Sequence, residues 1–163
     1  MRRRRVNIKL KPQNLTKHNF SDFGTVIENN REPDYSSLDV DYWSNLHVWD
    51  NQETEVSINF GICKKRKPVV EEMERHLNSS EILIPIESSL YIVVGSDINT
   101  ARENIKLFRL RPGQIVFFKK RIWHAAPFPE RKKGRFFVLY KQGTSENDFN
   151  FAQLDSRINL ELD

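Results

Sequence analysis

The apolar and polar positions of this chain fall mostly into short runs with a period of two. Val56, Ile58, Phe60 and Ile62 alternate with Ser57, Asn59, Gly61 and Cys63, the pattern of a half-buried strand. Ile82 to Ile86, Leu90 to Val94, Ile105 to Leu110, Ile115 to Phe118 and Phe136 to Tyr140 read as further strands. Val69 to His76 is less apolar and is expected to line something wet. Turn residues separate these runs, at Glu87-Ser88-Ser89, Gly95-Ser96-Asp97, Pro112-Gly113 and Lys132-Lys133-Gly134. Near the start, Val6 to Leu10 alternates like an edge strand. Thr16 is a candidate N-cap for a short helix ending before Gly24, with Phe20 and Phe23 on its buried face. Asn29 to Asp41 reads as a polar loop containing Pro33, and Ile158, Leu160 and Leu162 read as a last edge strand. An open edge is a template for a second copy, so this strand hints at a homodimer. Strands recurring roughly every 8–14 residues, with almost no helix between them, predict an all-β sandwich or barrel.

Composition sharpens this picture in a few places. A chain of 163 residues with no low-complexity linker or internal repeat is expected to form one domain, residues 1–163. The net charge of +4 raises the question of a nucleic-acid partner. Arg2, Arg3, Arg4 and Arg5 carry as much positive charge as the whole excess, so the remaining chain is neutral. They read as a solvated basic tail, residues 1–5, and no nucleic-acid partner is expected. No apolar run approaches the ~20 residues of a membrane span, and the segment after Arg5 alternates where a signal peptide would be apolar. Cys63 is the only cysteine, so no internal disulfide can form, and a cytoplasmic protein is the default.

Candidate chemistry gathers in two segments. Within Met73-Glu74-Arg75-His76-Leu77-Asn78-Ser79-Ser80-Glu81, a strand would point Glu74 and His76 to one face, about 7 Å apart. A turn at Asn78-Ser79-Ser80 would then bring Glu81 beside them. Far downstream, Trp123-His124 follows a strand and a basic stretch. Two carboxylates on inward positions of a barrel are costly unless paired or metal-bound. On a strand Arg75 would face away from Glu74. His18 and His47 are read as structural, Cys63 as a small buried apolar residue, and Tyr42, Trp43 and Trp49 as packing residues.

The order Glu74-x-His76-x4-Glu81, then Pro112-Gly113 and His124, resembles the two-part signature of the cupins. The resemblance implies a cupin-type antiparallel β-barrel (a double-stranded β-helix, or jelly roll) with a short N-terminal helix. It also implies a divalent metal held by Glu74, His76, Glu81 and His124. A mixed N/O set of this kind suits Mn, Fe, Ni or Zn. More narrowly, Leu15 to Ile27, Glu72-Met73-Glu74-Arg75-His76, Ile84-Pro85-Ile86, Trp123-His124 and Phe137 to Lys141 resemble the ureidoglycolate lyases. That family usually has Gln at the position of Glu81, a second His at Ala125 and Arg at Lys141. The resemblance implies cleavage of a small hydroxy acid, ureidoglycolate, to glyoxylate and urea. It implies proton transfer by Glu81 or His124 and substrate binding by Lys141 and Arg75. An isomerase or epimerase of another small hydroxy or sugar acid, and a non-catalytic small-anion binder, are the alternative readings.

Overall fold

The computed structural model describes residues 8–49, 55–99 and 101–163. The basic run Arg2 to Arg5 and the start of the Val6 to Leu10 run lie outside them. The described chain opens with β1 (Ile8–Leu10), β2 (Gln13–Asn14) and β3 (Gly24–Ile27), followed by a ribbon of β4 (Tyr35–Ser36) and β5 (Asp41–Tyr42). Then come β6 (Val56–Lys64), β7 (Val69–Arg75), β8 (Glu81–Pro85) and β9 (Leu90–Gly95). A one-turn helix, α1 (Ala101–Asn104), leads into β10 (Ile105–Leu110), β11 (Ile115–Phe118), β12 (Trp123–His124), β13 (Phe128–Pro129) and β14 (Lys133–Lys141). A second one-turn helix, α2 (Thr144–Asn147), precedes β15 (Asn150–Leu160).

Apart from the β4–β5 ribbon, the strands form two sheets. One runs β1-β15-β7-β12-β9-β10-β2 with β13 also on β9, and the other runs β3-β11-β8-β14-β6. Most neighbours are antiparallel; β1 on β15 and β2 on β10 are parallel. Between the sheets, Leu83, Val116 and Phe118 meet Ile92, Val94, Phe108 and Leu110 in one apolar cluster. Every residue of β9 is buried, because Tyr91 and Val93 point the other way, into a second cluster with Met73, Trp123 and Ile158. The eight-stranded sheet therefore curls over its own far face as well as facing its partner.

Phe20 and Phe23 seal the first cluster, with the Phe20 ring 5.5 Å from that of Phe108. The expected N-terminal helix is instead a run of turns over residues 17–23. Thr16 does cap it, accepting a hydrogen bond from the Asn19 amide while the Asn19 side chain accepts one from the Thr16 amide. Only two i→i+4 bonds form, at Phe20 and Gly24, before the chain turns into β3. Pro112-Gly113 makes the expected tight turn: the Gln114 amide donates to the Arg111 carbonyl, and Gly113 takes the φ of 89° that the second central position of such a turn demands. Lys132-Lys133-Gly134 is not a turn; Gly134 is buried within β14 and the bend falls before Lys133.

Two edges differ from expectation. The last strand is longer than its alternating run and is no open template: β7 pairs it on one side and β1 covers Ile158 to Leu160 on the other. β6 does end a sheet, and its faces are reversed relative to a simple half-buried strand. Val56, Ile58, Phe60 and Ile62 are exposed, while Ser57, Asn59, Gly61 and Cys63 point inward. The reason is room. A Cβ at Gly61 would lie 2.3 Å from the Phe136 ring, so small inward residues on β6 are what keep the barrel interior open. Among the described residues no helix is long and apolar enough to cross a membrane.

Phe108 is fully buried at the centre of the inter-sheet cluster. In urea unfolding, Phe108→Ala is expected to cost about 3–5 kcal/mol, the range for emptying a buried aromatic site. Leu38→Ala on the exposed ribbon is expected to cost less than about 0.5 kcal/mol. Equal losses would mean that this cluster is not the core.

Candidate functional site

The inward faces of β7, β8, β12 and β14 converge on one end of the cavity. Glu74 and His124 are opposed residues of the β7–β12 pair, and Glu81 opposes Tyr140 across β8 and β14. His76 lies just past the end of β7, on the same side as Glu74 as the pleat requires. The two halves of the sequence thus meet because β12 inserts between β7 and β9. Arg121, in the left-handed region at φ 69°, donates its amide to the His76 carbonyl at 2.7 Å and so ties the turn before β12 to the first segment.

Four titratable side chains sit within reach of one another. His76 Nε2 is 2.9 Å from Glu81 Oε2, and His124 Nε2 is 3.6 Å from both Glu74 Oε1 and Glu81 Oε2. His76, Glu81 and His124 are buried; Glu74 is the most open, at 18% side-chain exposure. Each imidazole is oriented through its other nitrogen. His76 Nδ1 donates to the Asp148 carbonyl at 2.9 Å, and His124 Nδ1 donates to the Ile122 carbonyl at 3.1 Å. A carbonyl oxygen only accepts, so both Nδ1 atoms carry protons, leaving His76 Nε2 toward Glu81 and His124 Nε2 toward Glu74 and Glu81. Phe118 stacks flat on His124, and Phe149 packs edge-on against His76.

This environment shifts two of the groups. Burial lifts the Glu74 carboxyl above the usual carboxylate range, against the opposing pull of His124. Burial alone would lower His76, yet the hydrogen bond and charge of Glu81 outweigh it and the imidazole is raised. A buried His124 Nε2 without a hydrogen-bond partner faces two carboxylates. Such an atom calls for a cation or a ligand.

The donor set fits a metal. One ligand atom each from His76, Glu81 and His124 lies within 4.8 Å of the others. Ligands at about 2.0–2.2 Å from a metal stand no more than about 4.4 Å apart, so closure needs shifts of a few tenths of an ångström. Nδ1–H bonded to a backbone carbonyl with Nε2 aimed inward is also how metal-binding histidines are commonly held.

The remaining candidates fall elsewhere. Arg75 faces the other side of β7, its guanidinium 4.4 Å over the Trp123 ring. Lys141 follows the inward Tyr140 and so turns outward, while its amide donates to Ser79 Oγ. Neither lines the cavity, and among the described residues no Lys or Arg does. Trp43 donates from its indole to the Arg31 carbonyl, tying the ribbon loop together, and His47 and Trp49 pack on Phe117.

The residue that sequence reasoning missed is Asp148. Its carboxylate accepts the amides of Leu77 and Asn78 at 2.9 and 2.8 Å, and its carbonyl orients His76. It therefore holds the turn between the two ligand-bearing strands. No local signal marks it, since the partners are some 70 residues away. Tyr140 and Asn59, which also line the cavity, would have followed from alternation once the register of β14 and β6 was known.

Comparison with known proteins bears on the family and the fold. The model of the ureidoglycolate lyase family matches residues 7–161. The chain belongs to the ureidoglycolate lyase family. Within the family, the ureidoglycolate lyase of Stutzerimonas stutzeri strain A1501 is 26% identical over 157 residues, covering 90% of this chain and 92% of that protein. The ureidoglycolate lyase of Chelativorans sp. strain BNC1 is also 26% identical, over 82% of this chain and 85% of its own. Among solved structures, a TDP-fucose-3,4-ketoisomerase from Campylobacter jejuni matches with a TM-score of 0.52, over 77% of this chain and 87% of that one. At 16% identity that is a likeness of fold alone, and the fold is the cupin-type barrel.

Asp148 is held below the usual carboxylate range: burial raises it, but the Asn78 and Leu77 amides and the Asn150 side chain lower it further. A depressed folded value means that its contribution is present above about pH 4, the ordinary value for Asp, and is lost as pH falls through the folded value. Asp148→Asn is expected to be less stable at pH 7 by about 1.5–3 kcal/mol. It should also lose less stability than the parent between pH 5 and pH 2 in urea titrations. Parallel pH profiles would remove the clamp role.

Proposed function

We propose that this protein is a carbon–nitrogen lyase that cleaves ureidoglycolate to glyoxylate and urea, in the cytoplasm. The observation that carries the reading is the buried His76–Glu81–His124 triplet with its unpartnered His124 Nε2, in a chain of this family. His76, Glu81 and His124 would hold a divalent metal, with Mn, Fe, Ni and Zn all suited to the N/O set. Bound there, the cation would supply Lewis-acid polarisation of the substrate's hydroxyl and carboxylate oxygens. With Arg75 and Lys141 turned away from the cavity, substrate-carboxylate binding also falls to this end of it.

The remaining work belongs to the side chains. With Glu81 and His124 both assigned to the ligand set, Glu74 is favoured over either as the group that moves the proton. Glu74 borders the cavity, and burial raises its pKa, which makes it a stronger base than an ordinary carboxylate. The hydroxyl and the leaving nitrogen sit on the same carbon. One carboxylate can therefore take the hydroxyl proton and return it to nitrogen as the C–N bond breaks and the aldehyde forms. Phe118 and Phe149 hold the two imidazoles in place and restrict water.

A homodimer is supported by a surface other than the last strand. The outer face of β6 and its neighbours exposes Val56, Ile58, Phe60, Ile62, Ile86 and Phe137, with Ile58 at 72%. At roughly 150–250 Å² per large apolar side chain, these leave on the order of 500 Å² open, more than half of the ~800 Å² that one partner gives to a standard interface. The partly buried Ile82, Ile84 and Leu139 extend the same face. Because β6 is also an open edge, a second copy can cover both the face and the edge by the same two-fold operation.

Purified protein is expected to release glyoxylate from ureidoglycolate only with one of Mn, Ni, Fe or Zn, and His124→Ala is expected to lower turnover at least 100-fold. The same metal at a hundred times its Kd should stabilise the parent by about 2.7 kcal/mol, and His124→Ala should lose that gain. Turnover of another small hydroxy acid alone would identify the isomerase or epimerase reading. Absence of any metal-dependent stabilisation would favour the anion binder. Separately, Ile58→Asp is expected to sediment as a monomer where the parent sediments as a dimer; a monomeric parent would remove the dimer.

A further inference from the structure

The cavity measures about 240 Å³, and among the described residues the polar side chains that line it outside Glu74, Glu81 and His124 are Asn59 and Tyr140. The Tyr140 hydroxyl is bonded to Ser145. Asn59 is held differently. It stands at an inward position of β6, and its Nδ2 donates to Ser57 Oγ at 3.1 Å, to the Val138 carbonyl at 3.2 Å and to the Ser57 carbonyl at 3.4 Å. Carbonyls only accept, so the amide cannot turn over without setting oxygen against oxygen. Oδ1 is thereby fixed as the atom that Asn59 offers to the cavity. No hydrogen bond from a described residue reaches it, and it is not sealed from a ligand. Register sets it apart from the titratable cluster. Asn59 pairs with Val138, Val138 pairs with Leu83, and Glu81 lies two residues along β8 from Leu83. Two strand spacings and two residues put the Asn59 and Glu81 Cα atoms on the order of 12 Å apart, and both side chains reach into the gap.

We propose that Asn59 is the residue that recognises the ureido group, its Oδ1 accepting a hydrogen bond from the terminal NH2 of the substrate. The proposal rests on the lyase reading and adds to it the side chain that selects the substituent. Glu81 and His124 belong to the ligand set and Glu74 takes the hydroxyl proton, so the hydroxy acid occupies that end and the ureido group lies toward β6. The terminal nitrogen of a urea donates hydrogen bonds and does not accept them. A methyl group in its place keeps the shape but leaves Oδ1 facing a group that cannot pair with it, and a site built to bond a donor rejects the analogue that lacks one. For one neutral hydrogen bond with its acceptor left unmatched, that rejection amounts to about tenfold. Ser57 is a positioning residue, its Oγ holding Asn59 Nδ2 so that Oδ1 keeps its aim.

The test compares ureidoglycolate with N-acetyl-α-hydroxyglycine for glyoxylate release, and ureidoacetate with N-acetylglycine for calorimetric binding, with Mn, Ni, Fe or Zn supplied in turn. The second pair lacks the hydroxyl and cannot be cleaved, so it reads recognition without turnover. The parent is expected to show about tenfold higher kcat/KM for ureidoglycolate and about tenfold tighter binding of ureidoacetate. Asn59→Leu, similar in size but without an acceptor, should bring both ratios close to one. Ser57→Ala should lower them part-way. A purely structural role for Asn59 would weaken both members of each pair alike and leave the ratios unchanged. Should Asn59→Leu not fold, the parental ratios and Ser57→Ala decide. Equal binding of the two acids by the parent, or ratios that survive in folded Asn59→Leu, would overturn the proposal and leave the lyase reading intact as long as glyoxylate is released. Preference for ureidoacetate that Asn59→Leu abolishes, with no glyoxylate from either hydroxy acid, would overturn the lyase reading and keep the ureido subsite. Neither binding nor turnover would overturn both.

Discussion

Two carboxylates and two imidazoles lie together at the end of an apolar barrel, and much of the surrounding architecture serves to hold them there. Charged groups removed from water are tolerated only when they are paired and hydrogen-bonded. Here the pairing is mutual, with His76 on Glu81 and His124 between Glu81 and Glu74. The outward support comes from backbone: the carbonyls of Asp148 and Ile122 fix both rings, and the amides of Leu77 and Asn78 fix Asp148. The cluster is therefore locked on its buried side and unsatisfied on its cavity side, which is the polarity a binding site needs.

The same pleat that builds the site governs the rest of the five-stranded sheet. Inward positions on β8, β11 and β14 carry Leu83, Val116, Phe118, Phe136 and Val138, while inward positions on β6 are small or polar. The barrel is thus filled on one side and hollow on the other. The hollow side is bounded by a strand whose apolar residues face outward, so the strand that opens the cavity is also the one that leaves a sticky surface. A cavity and an apolar outer face arise from one choice of which residues point in.

Family membership and geometry bear on different parts of the function. The family match spans nearly the whole chain, whereas the meeting of Glu74, Glu81 and His124 follows from the pairing of β7 with β12 and of β8 with β14. The walls of the cavity come from inward positions of several strands, among them Leu83, Phe118, Phe136 and Val138.

Much of this was legible in the residues. Period-two runs located β8 to β11 within a residue or so, the Pro112-Gly113 turn behaved as its chemistry requires, and Glu74-x-His76-x4-Glu81 with His124 named the four residues that meet. These are local properties: alternation, turn preference and spacing are written into neighbouring residues. What the tertiary structure alone decided is everything that depends on register between distant strands. Alternation says that two faces differ but not which one is inside, so β6 could present its apolar side to water and its small side to the cavity. Asp148 holds a turn 70 residues away, and β1 covers the strand that looked like an edge. Arg75 and Lys141 miss the cavity because each sits one residue along the strand from a side chain that reaches it, Glu74 in one case and Tyr140 in the other.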